Sequence, residues 1–286
     1  MKKFLSLLMA MAMVACLFAA CGETETTPET TETTETAEAP ETVTFTVGTN
    51  AEFAPFEYVE NNEIVGYDID MAQEIAKDMG AELVIENMDF DGLVTAVSTG
   101  KIDAAIAGMS VTEERKESVD FSKPYYTAAQ VIIVNADSET VATAADLEGK
   151  VVAVQEGTTG DIYVTENCNA AEVSRYKKAV NALMDLESGK VDAVVLDEEP
   201  AKNYSAQFAG LVILDEALTA EEYAIAVAKG NADLLDAINA TIDRMTEEGK
   251  FDELKEKYGL NAPAEEEAEE VVAEEAVEEE AETEAE

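Results

Sequence analysis

The chain of 286 residues contains no histidine and no tryptophan, three cysteines, and 18 Lys and Arg against 63 Asp and Glu. Each shortage excludes something. Without histidine the commonest general base is missing, and Cys168 has no histidine to activate it, so the usual acid–base and nucleophile arrangements are absent. No side chain ordinarily titrates near neutrality either, and ligand binding is expected to vary little between about pH 5.5 and 8. The scarcity of bases, with a formal net charge of −45, argues against nucleic acid, whose phosphates need a basic face.

What is present begins with Met1-Lys2-Lys3 and an apolar run from Phe4 to Ala20, broken by Ser6. A positive start, a short apolar core and small residues before a cut site describe a secretory signal peptide over residues 1–20. At about 17 residues the run sits at the lower limit for a membrane span. Leu17-Phe18-Ala19-Ala20-Cys21-Gly22 resembles a bacterial lipobox, cut before a cysteine that becomes lipid-modified, with Phe18 where leucine is usual. A chain starting at a lipidated Cys21 keeps one other cysteine, Cys168, so no intramolecular disulfide between free thiols can form and the domain relies on its core. Residues 22–41 are mostly Thr and Glu, with no Lys, Arg or aromatic residue, and cannot bury enough apolar surface to order. Residues 21–41 thus read as lipidated cysteine and disordered tether, and residues 263–286, Glu and Ala with a few Val, as a disordered acidic tail. With signal, tether and tail set aside, the middle keeps 43 acids against 16 bases and is acidic in its own right.

That middle, about 220 residues, suits one large domain or two small ones. Val43–Val47 reads as a strand, Asp68–Met79 as a helix stopped by Gly80, Leu83–Ile85 as a strand, Asp91–Ser98 as a short helix and Ile102–Ala107 as a buried strand. The alternation implies βαβ units and a mainly parallel sheet. Thr99-Gly100-Lys101-Ile102-Asp103-Ala104-Ala105-Ile106 then recurs as Ser188-Gly189-Lys190-Val191-Asp192-Ala193-Val194-Val195, each time behind a helix, the second being Asn181–Glu187. Glycine stops a helix in the left-handed region and an apolar run enters a sheet, twice over, which suggests two α/β lobes of one plan.

Ligands of open α/β sheets bind beyond the carboxyl ends of the strands. In the first copy that end is Ala107-Gly108-Met109-Ser110, ahead of Arg115; in the second it is Leu196-Asp197. Facing lobes would bring a cation and an anion to opposite walls, a cleft suited to a zwitterion. From the residues alone, Arg115 is equally a surface partner for Glu113 or Glu114, and Asp197 a cap for the turn at Glu198-Glu199-Pro200.

Taken in order, "GTNAEFAPFEY" (48–58), "GYDIDMAQEIA" (66–76), "DFDGLVTAVSTGKIDAAIAGMSVTEER" (89–115), "VDFSKPYY" (119–126), "VVAVQEGTTGD" (151–161), "GKVDAVVLDEEPA" and "GKFDELKEKYG" resemble the amino-acid-binding receptors of ABC importers, solute-binding protein family 3. The resemblance runs from Val43 to Leu260. It implies an α/β, two-lobed periplasmic-binding-protein-like (type II) fold, two Rossmann-like lobes joined by strands crossing near Ala128–Ile132 and Glu222–Ile225. Lobe 1 would comprise residues 42–128 plus 224–262, and lobe 2, with the hinge strands, 129–223. One free amino acid would be buried between them, delivered to ABC permease subunits at the outer face of the cell membrane, by a monomer with no cofactor and no metal.

By the resemblance, Arg115 holds the ligand α-carboxylate, since a planar guanidinium meets a carboxylate with two hydrogen bonds. Asp197 pairs with the α-ammonium, Gly108 offers it a carbonyl, and Met109 and Ser110 complete that strand end. Thr158 and Thr159, at the start of a helix whose amides favour an anion, assist Arg115. Phe53 and Phe90 flank the ligand side chain, while Phe56 and Tyr58 read as core. Asn50, Glu52 and Gln155 make the side-chain pocket polar and mildly anionic, favouring a basic amino acid, with glutamine, another polar amino acid or cystine as alternatives. A dehydratase-like enzyme on the same fold, or a sensor domain acting with a partner chain, are the competing functions.

The anchor can be tested directly. Cys21→Ser is expected to release the mature protein from membranes in a fractionation; a variant still membrane-bound refutes the lipid anchor.

Overall fold

The computed structural model describes residues 43–260. The signal peptide, Cys21 with its tether, and the acidic tail lie outside the described residues.

Strand β1 (Thr44–Thr49) is followed by a small antiparallel sheet of β2 (Glu52–Phe53), β3 (Glu57–Glu60) and β4 (Glu63–Val65). Helix α1 (Tyr67–Met79) buries Ile69, Met71, Ala72, Ile75 and Ala76 and stops where Gly80 turns left-handed at φ 64°. Then come β5 (Glu82–Asn87), a 3-10 turn at Phe90–Gly92, α2 (Leu93–Ser98) and β6 (Ala104–Ala105). Residues 102–110 are all buried except Asp103, but within the expected Ile102–Ala107 strand only Ala104 and Ala105 form a ladder, with bends on either side. After α3 (Glu113–Ser118) and β7 (Val119–Phe121) the chain passes through β8 (Tyr126–Ala128) into β9 (Gln130–Asn135). The second half runs β10 (Val151–Gln155), α4 (Thr159–Asn167), β11 (Glu172–Tyr176), α5 (Ala179–Glu187), β12 (Ala193–Asp197), α6 (Glu198–Ser205) and β13 (Leu211–Ile213). Strand β14 (Glu221–Tyr223) leads back to β15 (Ala226–Ala228), α7 (Ala232–Glu247) and α8 (Lys250–Tyr258).

Two five-stranded sheets result, ordered β5-β1-β6-β15-β7 and β11-β10-β12-β9-β13. In each, the first three strands are parallel and the fourth, β15 or β9, runs antiparallel to both of its neighbours. The chain returns from the second sheet to the first through β14, which pairs antiparallel with β8. The repeated motif does the same work in both sheets. Gly100 (φ 70°) and Gly189 (φ 71°) end their helices. Three residues on, Asp103 accepts the backbone N–H of Thr46 (2.7 Å) and Asp192 that of Val151 (2.8 Å). Each aspartate thereby ties its motif to the neighbouring parallel strand of its sheet, β1 or β10.

Helices α7 and α8 pack on α1, and Arg244 of α7 reaches Glu74 and Asp78 of α1, both at 2.7 Å. At the other end of α1, no side chain caps the helix. Instead, the N–H groups of Tyr67 and Asp68 donate to the carbonyls of Pro55 (3.1 Å) and Phe56 (2.9 Å), satisfying two of the first-turn amides. The turn before β3 is thus stapled to α1. Phe56 is fully buried there, edge-on to Tyr67, Tyr126 and Tyr223, whereas Tyr58, expected in the core, is half-buried and lines an open crevice.

Gly66 is the residue this staple requires. Its φ is 136°, and a Cβ would lie 2.0 Å from the Phe56 carbonyl oxygen. Gly66→Ala is expected to destabilise the protein by about 2–4 kcal/mol, read as a lower urea midpoint at unchanged slope; an unchanged midpoint would show that the turn yields freely.

Candidate functional site

The carboxyl ends of both parallel strand sets face a small closed cavity. Gly108, Ser110 and Arg115 enter it from the β6–α3 segment, Gln155, Thr158 and Thr159 from the β10–α4 turn, and Asp197 from the end of β12. Asn50, Phe53 and Phe90 complete the wall on the first sheet's side. Its volume is about 10 Å³, room for about one water molecule.

Arg115 is placed by its own short helix, whose N-cap Thr112 accepts the Arg115 N–H at 3.1 Å. The side chain is turned inward and only 8% of the residue is exposed. Its Nη1 donates to the carbonyl of Ser110 (2.5 Å) and its Nη2 to that of Gly157 across the cavity (2.9 Å), with the guanidinium 5.3 Å from the Phe90 ring centre. Neither neighbouring glutamate holds it: Glu113 pairs with Lys116. Among the described residues no carboxylate forms an ion pair with Arg115, and burial pulls its pKa down despite the carboxylates of Glu221 and Asp197 nearby.

Asp197 is 4% exposed and accepts the Tyr223 hydroxyl at 2.5 Å. Burial, aided by the charge of Glu221, pushes its pKa up to about 7, against the pull of Tyr223, Gln130 and Arg115. Gly108 turns left-handed (φ 51°), where a Cβ would meet the Phe53 ring at 2.8 Å, so glycine lets that ring close over the cavity. Its N–H donates to Asp68 Oδ2 at 2.8 Å. Gln155 Nε2 crosses the cavity to Asn50 Oδ1 (2.9 Å), and Thr158 caps α4 by accepting the Asp161 N–H at 3.3 Å. Ser110 Oγ and Thr159 Oγ1 both donate to one oxygen of Glu221, at 2.5 and 2.7 Å.

Two of the twelve expected ligand residues do not reach this cavity. Met109, just past the left-handed turn at Gly108, points away from it and is fully buried in the apolar core beside Leu93 and Val97. Glu52 points outward, where its carboxylate pairs with Lys178 and its carbonyl accepts the Tyr204 hydroxyl at 2.6 Å. It lines the larger crevice of about 590 Å³ that holds Tyr58. That crevice is open to solvent, so its charges are screened as at a surface. Two functional candidates were missed. Glu57 lines the closed cavity at 0% exposure, and Glu221 joins hydroxyls from both walls. The expected flat pH profile rested on the lack of histidine alone; burial also brings carboxyls into that range, Asp197 to about 7 and Asp68 to about 6.

A two-lobed α/β scaffold with a charged cavity between its sheets defines a ligand-capturing protein. Comparison with known proteins agrees. The family of bacterial extracellular solute-binding proteins, family 3, matches residues 45–261, and the chain belongs to it. A Campylobacter jejuni protein described as "Probable histidine-binding protein" is 35% identical over 91% of this chain and 100% of its own length. The arginine-binding extracellular protein ArtP of Bacillus subtilis is 32% identical over 90% and 98%. The arginine-bound form of truncated ArgBP from T. maritima superposes with a TM-score of 0.67 at 47% identity, covering 70% of this chain and 95% of that one. Among the described residues no helix is long and apolar enough to cross a membrane.

The raised carboxyls have a consequence for stability. Folded Asp197 and Asp68 keep protons that the unfolded chain, with aspartates near 3.8, has lost. Their contribution to stability is therefore present in acid and disappears as pH rises through about 6 and 7. Asp197→Asn should flatten the fall in melting temperature between pH 5 and pH 8 (roughly the window of both groups) in ligand-stripped protein. An identical fall in both proteins would remove Asp197 from the account.

Proposed function

We propose that this protein captures a free L-amino acid, a basic one by preference, for an ABC importer. The lobes are residues 42–128 with 224–262, and 129–223, and they close on the ligand about β8 and β14. The observation that carries this reading is a buried guanidinium and a buried carboxylate entering one cavity from different sheets, neither engaged with the other. Arg115 forks the α-carboxylate and Asp197 takes the α-ammonium. Because Glu221 accepts the protons of Ser110 and Thr159, the Ser110 oxygen keeps lone pairs free to accept from the ammonium, and Thr159 Oγ1, which also accepts from Gln130 Nε2 (3.1 Å), keeps one. Gly108 adds its carbonyl, Phe53 and Phe90 flank the side chain, and Asn50, Gln155 and Thr158 line its polar end.

The walls as they stand are bonded to each other. Besides Asn50–Gln155 and Arg115–Gly157, Lys177 joins Asp91 of one wall (2.7 Å) to Glu156 of the other (2.9 Å). A cavity with room for one water admits an amino acid only after these bonds part and the lobes swing open, so capture follows an open–closed equilibrium that ligand shifts toward closure. The acidic middle of the chain draws cationic ligands by long-range attraction, and the arginine- and histidine-binding relatives support the basic preference. An enzymic role on this fold finds no support in those relatives, which are binding proteins by name. Export through residues 1–20, anchoring at Cys21 and delivery to a permease complete the proposal.

Arg115→Ala should cost about 2–5 kcal/mol of amino-acid affinity, at least ~30-fold, and Arg115→Lys should recover only part of it. Calorimetry with L-arginine on ligand-stripped protein measures both. Near-unchanged affinity in the alanine variant would sink the carboxylate fork.

A further inference from the structure

Glu57 lies at the base of the cavity, and no part of the proposed capture mechanism uses it. It is fully buried, and among the described residues neither of its carboxylate oxygens has a hydrogen-bond donor. The staple between the Pro55–Phe56 carbonyls and α1 sets it against Asp68, also fully buried. The two carboxyls are not equivalent. Asp68 Oδ2 accepts two hydrogen bonds at 2.8 Å, from the Gly108 N–H and the Tyr125 hydroxyl, which favour its charged form. Asp68 Oδ1 accepts none from those donors and is without a partner unless Glu57 supplies one. Two carboxylates cannot share a water-poor site while both are charged, and a proton on Glu57 donated to Asp68 Oδ1 satisfies one orphaned oxygen of each residue, leaving the second Glu57 oxygen able to accept a donor from a ligand.

We propose that Glu57 carries a proton, donated to Asp68, in the ligand-free protein and surrenders it to solvent when a nitrogen cation of the ligand enters the cavity. The step balances simply: the Glu57 O–H bond breaks, the proton leaves with water, and the carboxylate's new charge is met by the ligand's ammonium or guanidinium. The groups facing Glu57 leave it no other cation. Asp68 of α1 and Asp197 of β12 raise its pKa, burial being the larger cause, and Tyr125 reaches the pair through Asp68. Beyond Asp197 stand Tyr223, Glu221 and Arg115, the last engaged with carbonyls. This rests on the amino-acid reading above and deepens it, because a site that exchanges a proton for a cation rejects acidic ligands.

Calorimetric titration of ligand-stripped protein near pH 6.5, in several buffers of differing ionisation enthalpy, counts the protons released per ligand. L-Arginine is expected to release about one proton from this linked set of carboxyls. Glu57→Gln, whose amide still donates to Asp68, should reduce the release by half or more. L-Glutamine separates the sources: release with both ligands assigns displacement to the α-ammonium, release with arginine alone to the guanidinium, and either supports the exchange. Tight binding with no proton release in the unaltered protein overturns it, as does equal release from the Gln variant, which would place the proton on Asp197. If no amino acid produces heat or thermal stabilisation, the amino-acid reading itself falls and this proposal with it.

Discussion

A charge removed from water has to be compensated, and in this protein the Arg115 guanidinium is buried against carbonyl dipoles, with no carboxylate of the described residues in an ion pair with it. Much of the site is arranged around that unmet requirement. The first sheet brings the cation, the second sheet brings Asp197, and the strands between them carry Tyr223, which holds Asp197 in place. A zwitterion answers both charges at once, with opposite ends and the right polarity. A neutral or singly charged solute would leave one of them stranded, which is a stronger filter than any contact the cavity walls could add.

The fold supplies this geometry by using one plan twice. In each sheet a glycine ends a helix, an aspartate three residues later grips the neighbouring parallel strand, and the following strand runs out toward the cavity. The ligand groups stand just past those strand ends, where side chains and backbone amides converge without disturbing the sheets behind. The rear of the first sheet is closed by α7 and α8 against α1, with Arg244 spanning two acids of α1, so the C-terminal segment stabilises the same lobe that the N-terminal strand begins.

Much of this was legible in the sequence. Periodicity exposed α1, the left-handed glycines marked the helix ends, and the eight-residue echo announced two similar halves. Arg115 and Asp197 stood out because each follows an apolar strand in a matching place. What stayed hidden depended on direction and on burial. A one-residue step past the left-handed turn at Gly108 sends Met109 into the core, while Gly108 and Ser110 line the cavity. Glu52 and Glu57 are both acids beside aromatic residues, yet the turn between them points one at Lys178 and the other inward. Glu221 was one acid among 63 until the hinge ladder set it beside two hydroxyls. The titration of Asp68 and Asp197 was invisible for the same reason, since composition reports a carboxyl's ordinary acidity and only packing reveals how far it has been moved.

If, as proposed, the lobes close about the paired strands β8 and β14, a rotation displaces each group in proportion to its distance from that axle. Tyr223 and Glu221 belong to β14 itself, so their bonds to Asp197, Ser110 and Thr159 lie where the sweep is smallest. The bridge made by Lys177 between Asp91 and Glu156 joins elements outside this ladder and depends on both walls meeting. Capture then has a built-in order of events: the end of the site nearest the axle is assembled before closure and receives its part of the ligand first, and the outer rim acts as a clasp that engages last.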